Sequence, residues 1–175
     1  MELERGANLV GAFAEVVSAS VQRCASDRLG MSGEAAGALS AIVAEPAMSI
    51  ETLRRSLSLT HPGTVRLVDR LVERNWVERR RTSGRAVMLF PTPQGAAMVG
   101  SMQKDRDVAI TRILASLSEE QQATLAELLG VVLAASVTNS EELRRLCRLC
   151  NRRNCEPCPP WEQIRSTGDP VTGVA

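Results

Sequence analysis

A single histidine among 175 residues leaves no room for a histidine-based catalytic site. No Gly-rich phosphate loop and no paired active-site motif occurs along the chain. No apolar run approaches the ~20 residues needed to cross a bilayer, and Met1-Glu2-Leu3-Glu4-Arg5 lacks the charged-then-apolar design of a signal peptide. Internal repeats are absent too. Cysteine is not spread through the chain as a secreted disulfide framework would require; four of the five residues crowd between Cys147 and Cys158. These absences weigh against an enzyme, a membrane protein and an exported one, and make the cytoplasm the expected compartment.

What is present is a folding composition, 44% hydrophobic and 23% charged, with a length that fits one domain with extensions better than two. The net charge of +1 hides an uneven distribution. Between Glu51 and Arg85 stand nine arginines against four acids, a local excess of five positive charges, which leaves −4 on the rest of the chain. A basic middle in an otherwise acidic chain is the footprint of a face that meets phosphate, although a merely solvated arginine-rich surface has the same composition.

Periodicity orders the elements. Leu9, Phe13, Val16, Val17, Val21 and Cys24 fall on one face of a long first helix predicted from Ala7 to Leu29. Ser32 to Ala44 forms a second, stopped by Pro46. Ser49 caps a short helix bearing Ile50, Leu53 and Leu57 on one side. After a tight junction, Thr60 caps another with Pro62 in its first turn. That helix runs to about Asn75, burying Val65, Val68, Leu71 and Val72 and leaving His61, Thr64, Arg66 and Arg70 mostly free. The period then becomes strand-like: Trp76 to Arg80 and Ala86 to Phe90 flank a polar tip containing Gly84, a β-hairpin. Thr92-Pro93-Gln94-Gly95 opens a helix continuing toward Leu117. Ser118-Glu119-Glu120-Gln121 reads as a capping box for a last long helix predicted to reach about Cys147. The chain after Pro160 reads as an untethered end.

Two short helices, a tight turn and a basic hairpin between residues 49 and 92 make a unit that can lay its second helix in a major groove while the hairpin reaches the neighbouring backbone. Helix-turn-helix patterns alone are weak evidence; the hairpin that follows strengthens this one. The run Thr64-Val65-Arg66-Leu67-Val68-Asp69-Arg70-Leu71-Val72-Glu73-Arg74-Asn75-Trp76-Val77-Glu78-Arg79, followed by Leu89-Phe90-Pro91-Thr92-Pro93-Gln94-Gly95, resembles the MarR (multiple antibiotic resistance regulator) family, in element order over roughly residues 7 to 146. The resemblance implies a mainly α fold with a small β-hairpin wing, a winged helix-turn-helix with long N- and C-terminal dimerisation helices. It implies a homodimer on double-stranded DNA with a pseudo-palindromic operator, usually repressing until a small-molecule effector or an oxidant releases it. By that match His61, Thr64 and Arg66 approach base edges, Arg70 lies nearer phosphate, and Arg80, Arg81 and Arg85 belong to the wing. Where the family's wing often carries Asp-x-x-Asp-x-Arg, this one reads Arg80-Arg81-Thr82-Ser83-Gly84-Arg85, and Asn75 stands where glycine is common, a substitution a left-handed helix end tolerates. The bland alternative is that individual arginines only pair with Asp69, Glu73 and Glu78.

Cys147-x2-Cys150-x4-Cys155-x2-Cys158 joins two C-x-x-C units at the end of the last helix. Four thiolates in twelve residues suit one structural zinc ion per chain, in a closed tetrahedral site without an open position for chemistry. A redox switch and inert reduced thiols are the other readings. Cys24 reads as a small core residue, and Met88, Met98 and Met102 as core filling ahead of a ligand pocket. The expected organisation is a dimerisation helix over 1–31, the winged unit over 32–95, dimerisation helices over 96–146, the cysteine cluster over 147–158 and a flexible tail over 159–175. A winged-helix interaction or zinc-sensing module without specific DNA readout is the competing function.

Overall fold

The structure is a computed structural model that describes residues 2–81, 86–151 and 154–168. Helix α1 (Glu2–Leu29) carries Glu2 and Glu4 in its first turn and Arg28 in its last, which complements the helix dipole. It begins five residues earlier than the apolar period predicts. Its apolar stripe does not enter the core: Leu9, Val10, Phe13 and Val16 stay exposed, and only Ala25 and Leu29 are buried.

Helix α2 (Gly33–Ala44) is the centre of the molecule. Ala35, Ala36, Ala38, Leu39 and Ile42 are all fully buried, and the small side chains let α1, α3, α4 and α5 close in on one rod. Ser32 occupies the N-cap position in extended conformation, but its side chain makes no capping bond. A two-residue strand, β1 (Met48–Ser49), follows and pairs with the wing, Met48 opposite Leu89 and Ser49 opposite Met88. Two residues are too few to show a period, so sequence reading could not find it.

The helix pair forms as its caps dictate. In α3 (Ile50–Leu57) the Ser49 hydroxyl accepts from the Thr52 amide at 3.0 Å, and the helix ends at Ser58 in left-handed conformation. In α4 (His61–Glu73) Thr60 accepts from the Gly63 amide at 3.2 Å, and Asn75 leaves in left-handed conformation. Strands β2 (Val77–Arg81) and β3 (Val87–Pro91) pair antiparallel from Val77–Pro91 to Arg81–Val87, giving the sheet order β1-β3-β2.

Helix α5 (Pro93–Leu114) runs along α1 and α2, and α6 (Glu119–Ala135) opens on the reciprocal capping box of Ser118 and Gln121. The predicted continuation to Cys147 is broken. Asn139 caps a separate helix, α7 (Ser140–Cys147), accepting from the Glu142 amide at 3.0 Å, while the Glu142 carboxylate accepts from the amide and hydroxyl of Thr138. This second box holds the chain in a turn that outcompetes one more helical turn. The expectation of a free tail is corrected likewise: Pro159–Ser166 forms α8, with Pro160 and Ile164 buried and Ile164 packed with Val137 and Leu143. The segment lacks a core of its own and borrows one from α6 and α7. None of the described helices is long and apolar enough to cross a membrane.

One close approach fastens the winged unit to α5. A Cβ built on Gly95 would lie 2.0 Å from the Trp76 carbonyl oxygen, inside any allowed contact with backbone. Gly95→Ala should therefore destabilise the fold by about 1–3 kcal/mol, the range for overpacking a well-filled core, and thermal unfolding of the variant checks this; an unchanged melting temperature would refute the tight junction.

Candidate nucleic-acid interface

The buried side of α4 consists of Thr64, Leu67, Val68 and Leu71. His61, Arg66, Arg70 and Glu73 are exposed on the other, with Val65, Asp69 and Val72 half-buried between them. The expected exposure of Thr64 is thus corrected. It is fully buried, and its hydroxyl donates to the Thr60 carbonyl at 3.0 Å, so it supports the helix start from inside and is in no position to approach a base edge. The reason is helical phase: Thr64 lies three and seven residues before Leu67 and Leu71, on the stripe that fills the core.

Charge pairing sorts the arginines. Glu51 takes Arg54 and Arg55 at 2.8 and 2.9 Å, and hydrogen bonds from Arg54 and then Arg55 hold its carboxyl at about 2, well below the usual carboxylate range. Asp69 takes Arg79 at 2.7 Å, which ties β2 to the outer side of α4. Glu78 takes Arg80, whose guanidinium also lies 4.6 Å from the centre of the Phe90 ring. Arg74 donates to the Leu29 carbonyl at 3.0 Å and stacks over Trp76, so it is a structural cation. Among the described residues Arg66, Arg70 and Arg81 have no side-chain partner, and all three are exposed. Strand alternation puts Arg81 on the face of Arg79, the face turned to α4. The expectation that Asp69 and Glu78 pair with neighbouring arginines holds for Arg79 and Arg80 and leaves the two helix arginines uncompensated. Arg85 and the wing tip lie outside the described residues. Arg79 and not Arg80 reaches Asp69 because strand alternation turns the two to opposite faces.

Behind the helix pair a cavity of about 610 Å³ opens between α2, α3, α5 and the C-terminal segment, with Ser56, Val99, Lys104, Cys147, Arg148 and Cys150 among its walls. Met102 is buried and Met98 packs on the core, so neither methionine faces this space as a wall. Cys24 is half-buried, its thiol 3.8 Å from the Asp105 carbonyl. None of the five cysteines is in a disulfide. Cys147 closes α7 and Cys158 sits at the start of α8, so the two C-x-x-C units hang from two helix ends. Partial desolvation of its sulfur, then the neighbouring Cys158 and Cys150 thiols, push the Cys155 thiol above its ordinary value against the opposing pull of Arg106. Among the described residues no group of three or more His, Cys, Asp or Glu already stands arranged to hold a metal ion.

Thr64→Val separates the inner from the outer face of α4. It should lower stability by no more than about 1 kcal/mol, the worth of one hydrogen bond, and leave duplex affinity unchanged in a fluorescence anisotropy titration; a tenfold loss of affinity would put Thr64 back at the groove.

Comparison with known proteins gives the same picture. Residues 29–86 match the family model described as MarR family. No curated protein matches the chain by sequence. Among solved structures, MepR, a transcription regulator of the multidrug efflux pump MepA of Staphylococcus aureus, superposes with a TM-score of 0.66 at 16% identity, covering 74% of this chain and 96% of that one. MarR of E. coli superposes at 0.59 and 25% identity, covering 70% and 96%. The Mycobacterium tuberculosis MarR family protein Rv2887 in complex with DNA gives 0.60 and 21%, covering 72% and 95%; the same protein with p-aminosalicylic acid gives 0.55 and 22%, covering 70% and 96%. The fold is that of MarR winged-helix regulators.

Proposed function

We propose that this chain, whose residues 29–86 match the MarR family model, binds DNA sequence-specifically as a transcriptional regulator, acting as a homodimer on a pseudo-palindromic operator. The observation that carries this reading is the selective neutralisation of the arginines. Acids of the unit pair with Arg54, Arg55, Arg79 and Arg80, whereas Arg66 and Arg70 project unpaired from the exposed face of the second helix. A cation without an internal partner is what phosphate or a guanine edge recruits. That a MarR family protein of this fold is solved in complex with DNA supports the reading. Arg66, nearer the helix start, is assigned to base edges with His61. Arg70, one turn on, and the wing arginines Arg81 and Arg85 are assigned to phosphate or the minor groove, while Arg80, held by Glu78, is left out of that set.

Dimerisation is inferred from apolar surface. Leu9, Val10, Phe13 and Val16 of α1 and Leu128, Leu129, Val131, Val132 and Leu133 of α6 are all exposed, a run of surface a solitary soluble chain rarely keeps. Release by an effector is inferred from the 610 Å³ cavity behind α3, large enough for a small aromatic molecule. The p-aminosalicylic acid bound to the mycobacterial relative supports that class. Repression is the sign of control assigned by resemblance to the MarR family: a dimer bound over a promoter blocks it until the effector enters.

Binding to duplex from the protein's own upstream region should fall steeply with salt, and a preference over random duplex should persist throughout. Arg66→Ala should cost about 1–3 kcal/mol and relax sequence preference, whereas Arg70→Ala should weaken all duplexes alike and lower the salt slope by about one. Addition of a phenolic acid should weaken operator binding. Affinity equal for operator and random duplex would sink the regulator reading, and indifference to phenolic acids would sink that effector class.

The assembly is read by light scattering. The wild-type chain should run at twice its 18.9 kDa, and Leu128→Asp with Val132→Asp should shift it to the monomer because a charge on each apolar stripe cannot be desolvated; a wild-type monomer at micromolar concentration would overturn the dimer.

A further inference from the structure

We propose that Cys147, Cys150, Cys155 and Cys158 form a four-thiolate site for one zinc ion, and that its loading sets how firmly α7 braces helix α3. The metal half of this inference stands on its own; the coupling half rests on the regulator reading above.

The donor set is the first argument. Zinc prefers thiolate sulfur in fours, and two C-x-x-C turns supply four sulfurs from twelve residues. The structure brings the two turns to one region: Cys150 donates its amide to the Cys147 carbonyl at 3.0 Å, closing the first turn, Glu156 of the second turn lines the same cavity as Cys147 and Cys150, and α7 packs on α8. The thiols are thus gathered but not set in a coordination shell. Binding must draw the first turn onto the second, giving up thiol protons to solvent as it does so, and a site completed only by its metal couples occupancy to local structure.

Where the turns are anchored is the second argument. The first is the C-terminal end of α7, and α7 packs on α3. Arg145 donates to the Arg55 carbonyl in the last turn of α3 at 3.4 Å, and Arg144 pairs with Glu45 at the end of α2 at 3.3 Å. Leu149, between the first two cysteines, packs against the main core. Closing the sulfurs round a cation therefore pulls on α7, a segment that packs directly on α3.

The experiment uses the full chain purified under reducing conditions. Elemental analysis should find one zinc per chain, and Co²⁺ added to metal-free protein should develop the visible and near-ultraviolet absorption of tetrahedral thiolate ligation. Cys155→Ser with Cys158→Ser should abolish both while far-ultraviolet circular dichroism keeps the helical signal. Stripping zinc with a chelator should change operator affinity about tenfold, a difference of 1.4 kcal/mol. Glu45→Gln with Arg145→Ala should retain zinc and lose that dependence. Zinc at a small fraction of an equivalent with four titratable thiols would overturn the site. Disulfides formed by peroxide in zinc-supplemented protein would replace it with a thiol switch. Full zinc with operator affinity unmoved by chelation would overturn the brace while leaving the site, and loss of all operator preference in the loaded protein would instead count against the regulator reading.

Discussion

The winged helix unit is held to α5 by a knot of four backbone groups. The Thr92 hydroxyl donates to the Asn75 carbonyl at 2.6 Å and accepts from the Gly95 amide at 3.0 Å, while the Thr92 amide donates to the Trp76 carbonyl at 3.0 Å. Gly95 then lies directly on that same carbonyl, where no side chain fits. The end of α4, the start of β2 and the start of α5 meet in this one place. Every other distance that matters, from the arginines on α4 to the apolar stripes on α1 and α6, is referred to it. The stretch Thr92-Pro93-Gln94-Gly95 is thereby explained residue by residue: threonine for the cap and the cross-link, proline for a first turn without a needed amide, glycine for contact.

Electrostatics within the unit follow a division of labour. Arginines near the core or on the wing strand find acids or rings and act as fasteners: Arg79 joins wing to helix, Arg74 joins helix end to α1, Arg54 and Arg55 share Glu51 at the start of α3. These exposed pairs add little stability each. Their effect is to neutralise those charges within the unit, so that among its described residues the uncompensated arginines are Arg66, Arg70 and Arg81. A uniformly basic surface would grip any phosphate; a sorted one leaves its charge at chosen positions.

Much of this was legible in the sequence, because caps and periods are local. Ser49, Thr60, Thr92 and Ser118 each cap the helix their position announces, and the two hairpin strands stand one residue on from where alternation set them. What escaped was decided by phase or by distant partners. Thr64 is polar and close to the helix start, yet its angular position belongs with Leu67 and Leu71. Thr138 and Glu142 break a helix that propensity would have carried on to Cys147. Pro160, Trp161 and Ile164 are too few to form a core, but three apolar residues suffice when α6 and α7 supply the opposite wall. Met48 and Ser49 became a strand only because β3 offered an edge.

The apolar residues of α6 also clarify why the chain turns back on itself there. One side of the helix is closed by its own protomer: Gly130 receives Pro159, whose ring would lie 3.2 Å from any added Cβ, and Val137 packs with Ile164. The rest of the helix, Leu128 to Leu133, is left uncovered. An exposed apolar helix face is costly unless a second surface takes it out of water, and the stripe of Leu9, Val10, Phe13 and Val16 on α1 is exposed in the same way. The returning segment α7–α8 therefore does two things at once. It covers one side of α6, and it carries Cys147 and Cys150 to a cavity that Ser56 and Leu57 of α3 also wall. A chain that ran on as one straight helix to Cys147 would have carried those two sulfurs away from α3.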